Sequence, residues 1–192
     1  MTFLTLRELR GIGYNLSDIR SALNALRHSL GHDIEFFVGS ERELIRRFID
    51  VVENADEFIM CTGGVSRQRE YLRVIEKRVR EKSDLVYLRV FPKGEISEVF
   101  YEHLQNILGS ENAEVKMLQE ETPIAYVLCT EDTAIVGLPG PGKFRTFIRT
   151  DVPIVVESIK MYVQRLAAKS VSLERKEDLD KLIRESMIRI VK

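Results

Sequence analysis

The chain has few of the residues that mark disulfide-rich, membrane-spanning or strongly basic proteins. Its 192 residues include 2 cysteines and 3 histidines, and 29 lysines and arginines are balanced by 30 aspartates and glutamates. The net charge of −1 excludes a global field that would draw the whole chain to nucleic acid or to an acidic membrane. No stretch approaches the roughly 18 consecutive apolar residues of a membrane-spanning helix. The N-terminus also lacks the apolar core of a signal peptide, so we expect a cytoplasmic protein without a membrane partner.

The two cysteines, Cys61 and Cys129, both stand inside apolar runs. This placement predicts buried, reduced thiols rather than a disulfide, which fits a reducing cytosol. Hydrophobic residues make up 44% of the chain and charged residues 31%, the balance of a globular protein with a substantial core. We find no internal repeat and no low-complexity tract.

Hydrophobic periodicity divides the chain into three segments. Residues 1–34 are predicted to be an N-terminal helical extension, because apolar residues recur there at helical spacing from Ile19 to Leu30. Residues 35–169 alternate between apolar strands and amphipathic helices, which predicts an α/β domain with a mixed sheet. Residues 170–192 are predicted to form a C-terminal helix whose apolar stripe includes Met187 and Ile190.

Within the α/β segment, unbroken apolar runs predict buried strands, of which residues 58–62 form a parallel one. A capping box at Ser40 predicts the start of the first helix. Two short strands flanking Thr130 and ending in Gly137 occupy residues 123–137. The further expected helices cover residues 66–82, 95–108 and 151–168, and the further expected strands 85–91, 113–118 and 144–148.

Segment 123–137 resembles the signature segment of the phospholipase D-like superfamily, in which a His-x-Lys strand is followed by Asp and then by a strand ending in Gly-Ser. The order of strands and helices before it is also similar, and the resemblance spans residues 35–169. It implies a phospholipase D-like α/β/α sandwich with N- and C-terminal helices. Counted back from Gly137, the His, Lys and Asp positions are Pro123, Ala125 and Thr130. The resemblance therefore implies a degenerate active site with no catalytic residues.

The lead-in at residues 35–44 is similar to the entry of the effector domain of TrmB-type archaeal transcription regulators, which have this fold without the catalytic triad. We therefore expect a non-catalytic ligand-sensing or dimerisation domain of a transcription regulator. Two signature segments normally meet across a twofold axis in the superfamily, and one chain supplies one, which implies a homodimer. A small anionic or sugar-like ligand would bind at the strand ends. The candidate ligand-binding residues are Ser66, Arg67, Tyr126, Lys143 and Arg145.

Other motifs give alternative interpretations. Residues 137–143 match the spacing of a nucleotide phosphate-binding loop, but Phe144 replaces the Ser or Thr that holds magnesium, so no nucleotide cofactor is expected. His28 and His32 lack further zinc ligands, so no metal is expected either. A phosphodiesterase or nuclease-like enzyme with a rearranged active site, using His103 or Lys143, stays open.

Residues 6–23 have a weak similarity to a helix-turn-helix, with Gly13 as the turn. A DNA-binding unit of this kind normally needs a third helix to bury its core, and the extension is too short to supply one. Nucleic-acid binding through the N-terminal helices is therefore an alternative that packing or dimerisation outweighs.

Overall fold

The computed structural model describes residues 34–39, 41–63, 68–119, 126–138, 145–185 and 187–191. The predicted N-terminal extension therefore lies outside the described residues up to residue 33, as do the cap at Ser40 and the paired His28 and His32. Ten strands and five helices are present in the described residues. In chain order they are β1 (Ile34–Gly39), α1 (Glu41–Glu53), β2 (Phe58–Gly63), α2 (Arg69–Glu81), β3 (Val86–Pro92), β4 (Gly94–Ser97), α3 (Glu98–Ile107), β5 (Ala113–Leu118), β6 (Tyr126–Cys129), β7 (Ala134–Leu138), β8 (Arg145–Thr150), α4 (Pro153–Ala168), β9 (Val171–Leu173), α5 (Lys176–Arg184) and β10 (Ile188–Val191).

Eight strands form one mixed sheet in the order β1-β8-β7-β6-β2-β3-β5-β9. Strand β3 runs parallel to both β2 and β5, and every other neighbouring pair in this sheet is antiparallel. The buried strand predicted at 58–62 is thus parallel to β3 but antiparallel to β6. The α/β class and the mixed sheet are confirmed.

Helices cover both faces of the sheet, unequally. The larger core lies beneath α1, α2, α3 and α5, where the fully buried side chains include Ile59, Leu72 and Leu104. A smaller core lies beneath α4, which packs Val156, Val163 and Ala167 against the opposite face. Side chains of the central strands alternate between these cores, as the period-2 geometry of a strand requires.

The C-terminal segment differs from the single helix predicted for residues 170–192. Strand β9 pairs with β5 at the edge of the main sheet, α5 ends at Arg184, and β10 pairs in parallel with β4. Ile188 is 2% exposed and Ile190 is 38% exposed. Residues two apart in a strand face the same side, so this face of β10 is covered at Ile188 and less covered towards its end. Apolar spacing alone did not distinguish this short strand from a further helical turn.

Candidate functional site

The signature segment forms an antiparallel hairpin of β6 and β7 in which Tyr126 pairs with Gly137. Thr130, at the position of the superfamily aspartate, is 3% exposed and closes the turn between the two strands. Its amide donates to the Thr133 carbonyl at 2.8 Å, and its hydroxyl oxygen accepts from the Thr133 amide at 3.3 Å. The Thr130 side chain thus stabilises the hairpin. Pro123 and Ala125 lie outside the described residues.

Gly137 is the point of closest packing in this hairpin. A Cβ atom added there would lie 2.8 Å from Cε1 of Phe147 and 3.2 Å from Cβ of Tyr126. Phe147 is 3% exposed, and its ring packs edge-on against Phe48 with ring centroids 5.5 Å apart. Phe48 also stacks on Tyr126 at 5.0 Å. The absence of a side chain at Gly137 therefore allows the rings of Phe147, Phe48 and Tyr126 to pack together over the strand. This packing role is independent of catalysis.

Tyr126 is the one predicted ligand-binding residue whose side chain the structure describes. Its hydroxyl forms a short hydrogen bond with the hydroxyl of Tyr71 on α2 and lies 4.0 Å from Sγ of Cys61. The Tyr71 hydroxyl is itself 3.5 Å from the same sulfur. Tyr126 is therefore part of a polar cluster beneath α2, on the larger-core face of the sheet.

The other predicted ligand-binding residues cannot be placed around Tyr126. Ser66, Arg67 and Lys143 lie outside the described residues. The backbone of Arg145 begins β8 opposite Gly39, but the described structure does not extend to its side chain.

Arg89 is a candidate functional residue that sequence reasoning missed. It stands in the middle of β3 with 0% exposure, beside Cys61 in the β2–β3 register, and its guanidinium carbon lies 4.6 Å from the centroid of the Phe100 ring. None of its three side-chain nitrogens has a hydrogen-bond partner among the described residues. The signal was present in the sequence as a single charge inside the apolar run 85–91.

A chain of hydrogen bonds leads from the protein surface to the neighbourhood of Arg89. Glu76 on α2 contacts Nδ1 of His103 at 2.9 Å, and Nε2 of His103 lies 3.2 Å from the Tyr87 hydroxyl. Burial lowers the pKa of His103, and the Glu76 carboxylate offsets this only in part. A neutral imidazole that donates from Nδ1 to Glu76 must accept from Tyr87 at Nε2. Both ring nitrogens of His103 are thus engaged.

The polar cluster carries a positive charge with no anion beside it among the residues that the structure describes. A guanidinium stays protonated in proteins, and the groups with the strongest electrostatic influence on Arg89 are Tyr87, Cys61, Tyr126 and Tyr71 rather than a carboxylate. Burial raises the pKa of each of the three tyrosines well above its usual value, so their hydroxyls remain neutral. Glu76 is separated from Arg89 by His103 and Tyr87.

Metal-binding clusters and membrane-spanning helices are both absent from the part of the chain that the structure describes. No group of three His, Cys, Asp or Glu residues there is arranged to hold a metal ion. No helix there combines the length and apolar character needed to cross a membrane. Both cysteines are buried and free, and burial raises the pKa of Cys129 to about 12.

Comparison with solved structures identifies the fold. No protein-family model matches the chain, and no curated protein matches it in sequence. NucT from Helicobacter pylori superposes with a TM-score of 0.53 at 14% identity, over 73% of this chain and 100% of that one. Nuc from Salmonella typhimurium, a phospholipase D family member, gives 0.54 at 12% identity, over 74% and 99% of the two chains.

A third similar structure is TrmBL2, an archaeal chromatin protein with a novel mode of DNA binding, with a TM-score of 0.57 at 12% identity. The match covers 82% of this chain but only 62% of TrmBL2. At these identities the comparisons speak for the fold alone, which is phospholipase D-like, as the signature segment and the preceding strand order predict.

Proposed function

We propose that this chain is a non-catalytic binding domain, which senses a small anionic ligand or mediates dimerisation in the manner of a transcription-regulator effector domain. The observation that carries the proposal is the replacement of the His, Lys and Asp positions by Pro123, Ala125 and Thr130. Proline and alanine offer neither a nucleophile nor a charge for a phosphoryl group, and threonine offers no carboxylate to orient a histidine.

The described residues support this proposal. The hydroxyl and the amide of Thr130 form hydrogen bonds within the β6–β7 turn, and Gly137 allows close packing of aromatic side chains. His103 is 1% exposed and hydrogen-bonded at both ring nitrogens, so it is not available as a nucleophile. The scaffold of the signature segment therefore has a structural use that is independent of phosphodiester chemistry.

The similarity to TrmBL2 is compatible with a non-enzymatic role, and the similarities to NucT and Nuc are equally compatible with the alternative of an enzyme with a rearranged site. TrmBL2 binds DNA, and the match covers 62% of its length. In the present chain, DNA contact through residues 1–34 is a separate hypothesis. It predicts a salt-dependent DNA affinity that is lost when those residues are deleted.

The proposed function is tested by measuring hydrolysis of bis(4-nitrophenyl) phosphate and of duplex DNA, each with magnesium and with a chelator. We expect no turnover above the buffer rate in the native chain. The variants His103→Ala and Lys143→Ala should be equally inactive, with Lys93→Ala as an exposed-lysine control. Turnover that disappears in His103→Ala or Lys143→Ala but persists in Lys93→Ala would establish the rearranged enzyme instead.

Dimerisation is tested separately by light scattering across a range of concentrations. A homodimer should show twice the monomer mass of 22.2 kDa. A monomeric mass at every concentration would remove dimerisation from the proposal and leave ligand sensing.

A further inference from the structure

The charge of Arg89 is the least compensated feature of the described core. Its side chain has 0% exposure, and the Phe100 ring covers one face of the guanidinium. A buried charge without a hydrogen-bonded partner is strongly unfavourable, so native proteins pair such groups or bind a counter-ion. The Tyr87 oxygen is close enough to the guanidinium to interact with it, although no contact meets hydrogen-bond geometry, and the Tyr87 hydroxyl directs its proton to His103 and carries no charge.

Hydrogen-bond donors outnumber acceptors around this charge. Arg89 has five N–H groups. The hydroxyls of Tyr71 and Tyr126 share one mutual hydrogen bond, which uses one of their two protons and leaves the other to point elsewhere. Among the described residues, the acceptors nearby are the neutral hydroxyl oxygens of Tyr71, Tyr87 and Tyr126 and the weakly accepting sulfur of Cys61. A group made only of acceptors, with a negative charge, would satisfy both the excess of donors and the guanidinium.

We propose that Arg89, Tyr71 and Tyr126 form a buried binding site for a small oxyanion of the phosphate or sulfate class. The assignment deepens the proposed sensing function and rests on it, since it names the ligand chemistry. Tyr126 is the outermost member, because it is part-exposed while Arg89 and Tyr71 are 0% and 1% exposed. Such depth suits a small anion rather than a whole nucleotide.

The competing source of negative charge is the thiol of Cys61, which stands beside Arg89 in the sheet and 3.5 Å from the Tyr71 hydroxyl. A Cys61 thiolate would neutralise the guanidinium and leave no need for a bound anion. The two cases differ in a direct observable, because a thiolate has an ultraviolet absorption band that a thiol lacks. A neutral-pH thiolate band that disappears in Cys61→Ser would therefore overturn the anion site.

The experiment titrates the full chain with sodium phosphate, with sodium sulfate and with phenyl phosphate, against sodium chloride at matched ionic strength and pH. The readout is the midpoint of thermal unfolding, supported by the 31P line width of inorganic phosphate. A ligand that binds only the native state raises the midpoint in a saturable manner. A stronger response to phenyl phosphate than to inorganic phosphate supports the site and assigns its anion to the phosphoryl group of a larger molecule.

Three variants make the result specific. Arg89→Met should abolish the saturable rise. Tyr126→Phe, which keeps the ring and removes one hydroxyl, should weaken apparent affinity by about tenfold. Tyr162→Phe is the matched control, because the Tyr162 hydroxyl is also buried without a partner among the described residues but packs in the α4 core. It should leave the titration unchanged.

The outcomes separate this inference from the proposed function. A native chain that shows no saturable response, or a response equal in Tyr126→Phe and in the native chain, overturns the oxyanion site even if Arg89→Met fails to fold. Neither result restores phosphodiester hydrolysis, so the non-catalytic proposal would stand. Saturable phosphate binding together with hydrolysis would support the site and refute the non-catalytic function.

Discussion

The change Gly137→Ala tests whether the signature glycine is kept for packing. The new methyl group would stand 2.8 Å from Cε1 of Phe147, well inside van der Waals contact. Phe147 has little room to retreat, because its ring is 3% exposed and lies against Phe48. Movement of Phe147 would also disturb Tyr126, which shares Phe48 as a stacking partner.

Overpacking of this kind costs about 1–3 kcal/mol of unfolding free energy. Alanine also reduces the conformational entropy of the unfolded chain, which stabilises the folded state by about 0.4–1 kcal/mol where the native backbone conformation is one that alanine can adopt. We therefore expect a net loss between about 0 and 2.6 kcal/mol and centred on about 1.3 kcal/mol, measured by urea denaturation followed by circular dichroism. At this chain length the corresponding fall in the thermal midpoint is about 2–4 °C for each kcal/mol.

A double-mutant cycle identifies the cause of the loss. Phe147→Leu alone should cost of the order of 1 kcal/mol, because it removes the aromatic contact with Phe48. Combined with Gly137→Ala, it should recover part of the alanine cost, since the smaller side chain makes room for the methyl group. An alanine variant more stable than the native chain, or strict additivity of the two changes, would refute the packing argument.

Two further predictions concern buried polar groups. Burial lowers the pKa of His103 in the folded chain below its ordinary value of 6.5. The unfolded chain therefore binds a proton at His103 more readily than the folded chain does. Folding stability that is present above about pH 6.5 is lost as the pH falls below it. The fall in the urea midpoint between about pH 7 and 5.5 should be smaller in His103→Gln than in the native chain, and equal slopes would contradict the assignment. Nδ2 of Asn112 donates to three backbone carbonyls within residues 79–85 at 2.9–3.0 Å. Asn112→Ala should lower the unfolding free energy by about 1–3 kcal/mol. As a control, Asn106→Ala, at a more exposed position, should change the unfolding free energy by less than about 0.5 kcal/mol. Similar losses in the two variants would show that the three carbonyls do not depend on Asn112.

The central elements of the fold could be predicted because their sequences carry one periodicity each. Residues 58–63 and 86–92 are mostly apolar, with Arg89 as the one charge, and strands covered on both faces have this pattern. Residues 69–81 show apolar positions at helical spacing with charges between them, and the buried set includes Leu72, Ile75 and Val79. These elements occupy their predicted places within a few residues.

The short and peripheral strands could not be predicted, because their pairing partners are remote in sequence. Strand β9 has three residues, and it forms a strand because it pairs with β5, which lies more than 50 positions earlier in the sequence. Strand β10 pairs with β4, roughly 90 positions away, and its Ile190 falls on the same helical stripe as Leu179 and Leu182. Local spacing contains no information about such partners.

The candidate site could be predicted less well than the fold, because the informative charge of Arg89 lies on β3 and outside the signature segment. Leu88 and Val90 flank Arg89 and point into the α4 core, so the arginine itself must point into the opposite core. A charged residue at such a position is almost never fully buried without a partner. The pattern alone therefore predicts a buried cation, although its neighbours Tyr71 and Tyr126 are brought to it only by the tertiary fold.

The proposed non-catalytic function and the proposed anion site are compatible, because hydrolysis and binding have different chemical requirements. Hydrolysis needs a nucleophile and a proton donor at the reacting atom, and Pro123 and Ala125, at the positions given by the resemblance, could supply neither. Recognition of an anion needs only preorganised donors in a low-dielectric site, which Arg89 and the tyrosine pair supply on the larger-core face. Because the two requirements rest on different residues, one can be lost without the other. A domain built in this way can bind an anion, and change stability when it does, without consuming it.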